Sequence, residues 1–135
     1  MQYWLIKSEP ETYSLEDLKK EKIGRWDGVR NYTARNNLRL MRTGDLCLFY
    51  RSVTQPAVVG LCKVVKEHYP DPTSDNPAWV AVDVEFHSAL KKEVPLKAIK
   101  DNPNLQEMAL LKQSRLSVQP VSVAEFDEIL NLSEK

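Results

Sequence analysis

Only four of the 135 residues are glycine, too few for a glycine-rich loop of the kind that cradles nucleotide phosphates. Histidine is as scarce. His68 and His87 stand alone, without the HxH or HxxxH spacing that brings two imidazoles onto one metal ion. Neither neighbours a serine or cysteine in a recognisable nucleophile motif. Two cysteines, Cys47 and Cys62, cannot build a disulfide framework and lack metal-ligand spacing. They would lie roughly opposite each other in a hairpin turning near Thr54-Gln55, and buried free thiols are the expectation. No apolar run reaches the length of a membrane span. The opening Met1–Lys7 is charged too early for a signal peptide. The expectation is therefore a cytoplasmic chain, or a nuclear one in a eukaryote, with no metal, no cofactor and no membrane partner.

An excess of charge is also missing. Nineteen basic side chains balance nineteen acidic ones, which argues against coating nucleic acid by charge alone. The distribution is uneven, however. From Arg25 to Arg51 there are six arginines (25, 30, 35, 39, 42 and 51) against Asp27 and Asp45, while the tail from Val121 is acidic. A basic stretch on a neutral body suits a partner with a few phosphates and one feature to read. A solvated helix face explains the same charges.

The length fits one domain spanning residues 1–135. Tyr3–Lys7 reads as a first strand. Ser14 with Asp17 forms a capping-box pattern for a helix over about 14–22, and a second helix follows at roughly 32–42. Strands are expected over 45–53, 57–67 and 79–86, with a loop over 69–77. Helical turns occupy part of 95–111, a strand covers 116–121, and Ser122 with Glu125 opens a last helix. The fold class is α+β without regular βαβ alternation. A small, largely antiparallel barrel or curled sheet flanked by helices is the natural inference.

Binding chemistry concentrates in Trp26-Asp27-Gly28-Val29-Arg30-Asn31-Tyr32, with Arg35 close behind. Flat bases are held by stacking on aromatic faces and by hydrogen bonds to their edges, and both residue types are here. Each residue also has a plainer role: Trp26 in the core, Gly28 in a turn, Asn31 as a helix cap. Lys7, Ser8 and Glu9 sit at the rim of the first strand, which Pro10 ends. Tyr50 and Ser52 close a later strand, and Arg115 and Ser117 begin the last. Glu9 and Asp27 are the one carboxylate pair that could serve catalysis, though sequence alone cannot bring them together.

Strings running in order along nearly the whole chain resemble the EVE domain family. They are Tyr3–Pro10, Trp26–Tyr32 with Ala34-Arg35-Asn36, Gly44-Asp45 leading to Phe49-Tyr50, Val59-Gly60, Tyr69–Thr73 and Arg115–Val121. The resemblance implies a PUA-like mixed β-barrel flanked by short helices. It also implies kinship with YTH domains, which hold N6-methyladenosine in an aromatic cage. By that likeness Ser8 and Trp26 become pocket edge and cage wall, with Tyr32 or Tyr50 as second wall. Arg30, Asn31, Tyr32 and Arg35 carry the family signature, and Arg30, Arg35 or Arg115 would meet phosphate. One departure is Val53 after Tyr50-Arg51-Ser52, where many relatives carry Asn. The function so implied is a non-catalytic, monomeric module that binds nucleic acid carrying a modified base, with modified cytosine in DNA favoured. The alternatives are an RNA-binding accessory module and, third, an enzyme acting on modified nucleosides.

Overall fold

A computed structural model describes residues 1–135. Six strands form one mixed sheet: β1 (Tyr3–Ser8), β2 (Ile23–Trp26), β3 (Leu46–Arg51), β4 (Ala57–Pro70), β5 (Val80–Pro95) and β6 (Val118–Val121). Their order is β2-β5-β4-β3-β1-β6, with β1 and β3 parallel and every other pairing antiparallel. Helices α1 (Leu15–Glu21) and α2 (Tyr32–Leu40) fall between β1 and β3. Short α3 (Leu96–Asp101) and α4 (Ala109–Lys112) precede β6, and α5 (Val123–Glu134) ends the chain.

Alternation along the strands builds two cores, one on each face. Trp4, Ile6, Cys47 and Phe49 pack with Leu15, Leu18, Ala34, Leu38 and Met41 from α1, α2 and its cap. Leu5, Leu48 and Tyr50 point the other way and pack with Ile99, Met108, Phe126 and Ile129 from the later helices and their connections. On β4, Ala57 and Val59 face the first core, whereas Leu61 faces the second. The parity reverses across Gly60, where the β4–β5 register shifts, as an inserted residue requires.

The expected closed barrel is not what the hydrogen bonds form: β2 and β6 remain the sheet's two edges. Helix α2 packs on β6, β5 and β4. Its Asn37 donates Nδ2–H to the Val118 carbonyl at 2.7 Å, satisfying a β6 acceptor that a neighbouring strand would otherwise take.

The local signals are realised. Ser14 with Asp17 and Ser122 with Glu125 both form reciprocal capping boxes, and Asn31 accepts from the Ala34 N–H as N-cap of α2. Cys47 and Cys62 face each other across β3 and β4 as buried free thiols. Two strands outrun expectation. β4 continues through Tyr69-Pro70 and β5 runs on past Phe86 to Pro95, because each edge of this long ribbon finds a partner in the other.

Candidate nucleic-acid interface

Between the end of β1 and the end of β2 a cavity of about 480 Å³ opens, within the roughly 300–1,000 Å³ typical of small-ligand sites. The end of β1 supplies Lys7, Ser8 and Glu9, and the turn after it supplies Thr12 and Tyr13. The end of β2 and the approach to α2 bring Arg25, Trp26, Asp27, Gly28, Val29, Arg30 and Asn31, while Ser117 closes the rim ahead of β6. Ten of the residues singled out in the sequence thus converge on one hollow. Glu9 and Asp27, the candidate carboxylate pair, both line it.

Trp26 is core and wall at once. It is 7% exposed, meets Phe49 edge to face at 5.6 Å, and meets Tyr13 at 6.2 Å and 79°. The second aromatic in the cavity is therefore Tyr13, and the two rings make a corner rather than parallel plates. The Tyr13 hydroxyl donates to Glu21, and burial together with that carboxylate raises its pKa. A side chain on Gly24 would collide with that hydroxyl, so the glycine leaves Tyr13 its place. Ser8 donates its hydroxyl to the Tyr13 carbonyl at 2.6 Å, and the Glu9 carbonyl accepts from the Thr12 and Tyr13 N–H groups. These bonds fix the turn that carries Tyr13. The Ser8 oxygen keeps acceptor capacity for a ligand.

The Trp26–Asn31 segment is anchored from a distance. Gly28, at φ +76°, donates its N–H to Asp71 at 2.9 Å. Asp71 also accepts from Arg30 at 2.9 Å and from the Thr73 N–H and hydroxyl. Burial alone would raise this carboxyl, but those hydrogen bonds outweigh it and hold it well below the usual carboxylate range. Arg30 further donates to Thr73 at 3.0 Å, and Arg35 donates to the Ala78 carbonyl at 2.8 Å. Two of the three arginines expected at phosphate, Arg30 and Arg35, are therefore committed to the 71–79 loop.

Five expected residues lie outside the hollow. Tyr50 is buried in the second core, on the opposite face from Phe49, so strand parity removes it as a cage wall. Tyr32 sits outside, 60% exposed and tilted against Trp79 with ring centres 4.9 Å apart. Arg35 stands over Tyr32. Ser52 meets the site through backbone only, donating its N–H to the Ser8 carbonyl. Arg115 lines a shallow neighbouring hollow with Asn31 and Thr33. Sequence reasoning missed Tyr13, Thr12, Arg25 and the Asp71–Thr73 brace. The last carried a readable signal, since Asp followed two residues later by Thr is an Asx-turn pattern.

Charge at the cavity is mixed. Arg25 pairs with Asp27 at 2.7 Å. Lys7 instead donates its ammonium to the Ser114 carbonyl at 2.7 Å and faces no carboxylate partner; partial burial lowers its pKa. A larger hollow of about 720 Å³ lies elsewhere, beside α3. It has no aromatic wall, and its Arg51 and Glu93 pair with each other at 2.7 Å.

The EVE domain profile matches residues 2–132. The chain belongs to the EVE domain family. Thymocyte nuclear protein 1 of mouse is 42% identical over 98% of this EVE chain and 74% of the mouse protein. Human THYN1, solved in complex with 5-methylcytosine-containing DNA, superposes with a TM-score of 0.93 at 40% identity, covering 100% of this chain and 99% of that one. The YTH domain of Mmi1 shares the fold at a TM-score of 0.58 and 13% identity, over 98% of this chain and 88% of that domain. The α+β fold is thus common to both groups.

Proposed function

We propose that this EVE domain is a non-catalytic reader of a modified base in nucleic acid, 5-methylcytosine in DNA being the favoured ligand. One observation carries the reading: the Trp26–Tyr13 corner opens beside the unneutralised Lys7 in a chain 40% identical to a protein solved with such DNA. A base turned out of its stack packs on one ring of the corner and meets the other with its edge. Ser8 and nearby backbone read its polar rim. Lys7 and Arg115 meet the flanking phosphates, because Arg30 and Arg35 already hold the 71–79 loop.

The cavity supplies shape and stacking, which are worth about 1–3 kcal/mol per base. An added methyl in a fitted apolar site adds about 1–3 kcal/mol, so discrimination against plain cytosine is moderate. Glu9 and Asp27 remain on the wall, Asp27 engaged by Arg25, and no group of three or more His, Cys, Asp or Glu side chains is placed to hold an ion. The domain works as a monomer, in whichever compartment holds the modified nucleic acid.

The test is a binding panel of matched DNA and RNA oligonucleotides carrying unmodified, methylated and hydroxymethylated bases. Preference for a modified deoxycytidine is the expected result. Preference for the 2′-hydroxyl series moves the function to RNA. Turnover of a modified nucleoside that Glu9→Gln or Asp27→Asn abolishes would instead make it an enzyme.

A further inference from the structure

Tyr32 and Trp79 belong to neither core, yet they are held in one place. Tyr32 starts α2, directly after the Asn31 cap. Trp79 ends the 71–79 loop, where its carbonyl accepts from Asp71 and its N–H donates to Asn76. The rings lie 4.9 Å apart and 30° from parallel. Arg30 stands 5.7 Å from the Trp79 ring centre and Arg35 5.2 Å from that of Tyr32. Both guanidinium groups are fixed by acceptors on the loop or on α2. A loose surface tyrosine needs no such scaffold. Here a tyrosine that is 60% exposed is held on a rigid, cation-flanked support. Arg30 also lines the base cavity, as does Asn31 next to Tyr32, so the support adjoins the cavity rim.

We propose that Tyr32, backed by Trp79, is a second stacking surface that takes the unpaired base next to the one in the cavity. The inference rests on the base-reading function proposed above, yet its chemistry is separate. Stacking accepts any base because every base has a π-face, whereas the cavity selects one. The Tyr32 surface therefore adds affinity without adding discrimination, and it serves only ligands at least two nucleotides long. Arg35, whose acceptors are the Asn36 side chain and the Ala78 carbonyl rather than a carboxylate, favours a polyanionic strand over a peptide as the occupant.

The experiment compares wild type, Tyr32→Ala, Tyr32→Phe and Trp79→Leu on three probes. These are a free 5-methyl-2′-deoxycytidine nucleoside, a single-stranded 9-mer with one central 5-methylcytosine, and the same 9-mer unmodified. Tyr32→Ala is expected to weaken both 9-mers by about tenfold and leave the nucleoside unchanged, with the methyl preference preserved. Tyr32→Phe keeps wild-type binding, and Trp79→Leu falls between. Thermal unfolding of each variant checks that the fold is retained. Equal 9-mer affinity in wild type and Tyr32→Ala overturns the proposal, as does a loss of nucleoside binding or of the methyl preference. A wild-type chain without methyl preference sinks the reading of the cavity instead, and the Tyr32→Ala effect on the unmodified 9-mer then still decides the stacking surface.

Discussion

Arg30 donates to Asp71 at 2.9 Å although 41 residues separate them. Asp71 is 2% exposed, whereas the Arg30 side chain is 39% exposed. The pair thus reaches from the interior to the cavity rim. The same carboxylate oxygen holds the Gly28 N–H, so one buried acid sets both the bend of the Trp26–Asn31 segment and the direction of its arginine.

Removing that acid should loosen the segment before it alters the rest of the fold. Asp71→Ala leaves the Gly28 N–H and the guanidinium without their acceptor, at an expected cost of about 2–3 kcal/mol. Water at the exposed side of Arg30 keeps the figure below that for a fully buried pair. Asp71→Asn isolates the charge. Since the folded carboxyl is depressed, its contribution is fully present above the unfolded value near pH 4, and is lost as pH falls through the lower folded value. Urea unfolding should show a constant gap between wild type and Asp71→Asn over roughly pH 5–7 that narrows below about pH 4. A gap that widens on acidification would contradict the hydrogen-bonding account.

Trp26 needs a gentler substitution than alanine. Its burial against Phe49 and Tyr13 means that Trp26→Ala costs about 3–5 kcal/mol of stability, so lost binding would be confounded with lost structure. Trp26→Phe keeps an aromatic wall of smaller area. The expected result is cooperative unfolding with a lowered Tm, together with binding of the 5-methylcytosine oligonucleotide weakened about tenfold. Fluorescence anisotropy beside a thermal melt checks both, and unaltered affinity would remove Trp26 from the site.

What could be read along the chain was local, and what could not was long-range. The caps at Ser14, Asn31 and Ser122 were legible because each involves partners three residues apart. The Trp26–Asn31 cluster was legible from residue type. Tyr50 was not, because facing one core or the other depends on a single residue of parity, which only strand pairing fixes. Tyr13 reaches the cavity through a turn held by Ser8 and Glu9, and Asp71 through a contact spanning 43 residues to Gly28. Neither announces its partner in the sequence. The second half of β5 was hidden for a compositional reason: Lys91, Lys92 and Glu93 are consecutive and exposed, so no alternation marks the strand.

Gly28 separates backbone strain from crowding. It sits at φ +76°, and an added Cβ there would touch nothing within 4 Å. Gly28→Ala therefore pays only for the left-handed conformation, about 1–2 kcal/mol. The cost falls on the N–H that Asp71 holds, so urea unfolding should record it and the cavity segment should shift. Gly28→Asn, which tolerates this region better, is expected to recover most of the loss. A Gly28→Asn chain as unstable as Gly28→Ala would place the penalty elsewhere.

Salt dependence separates the cations that meet phosphate from those that hold the protein together. Lys7 lines the cavity with the Ser114 carbonyl and the Tyr50 ring as partners and no carboxylate, and Arg115 lines the adjoining hollow. Each neutralised phosphate contributes about 0.9 to the slope of log K against log salt on duplex DNA and about 0.7 on single strands. Lys7→Gln and Arg115→Gln should each flatten the slope by about that amount, the double variant by roughly twice as much. Arg30→Gln should behave differently. Its guanidinium braces Asp71 and Thr73, so its loss should lower stability and weaken binding at all salt concentrations with little change in slope. Titrations across a range of potassium chloride, alongside unfolding curves for the same variants, distinguish the two behaviours. Should Arg30→Gln flatten the slope while Lys7→Gln leaves it untouched, the phosphate contacts lie on the loop side of the cavity instead.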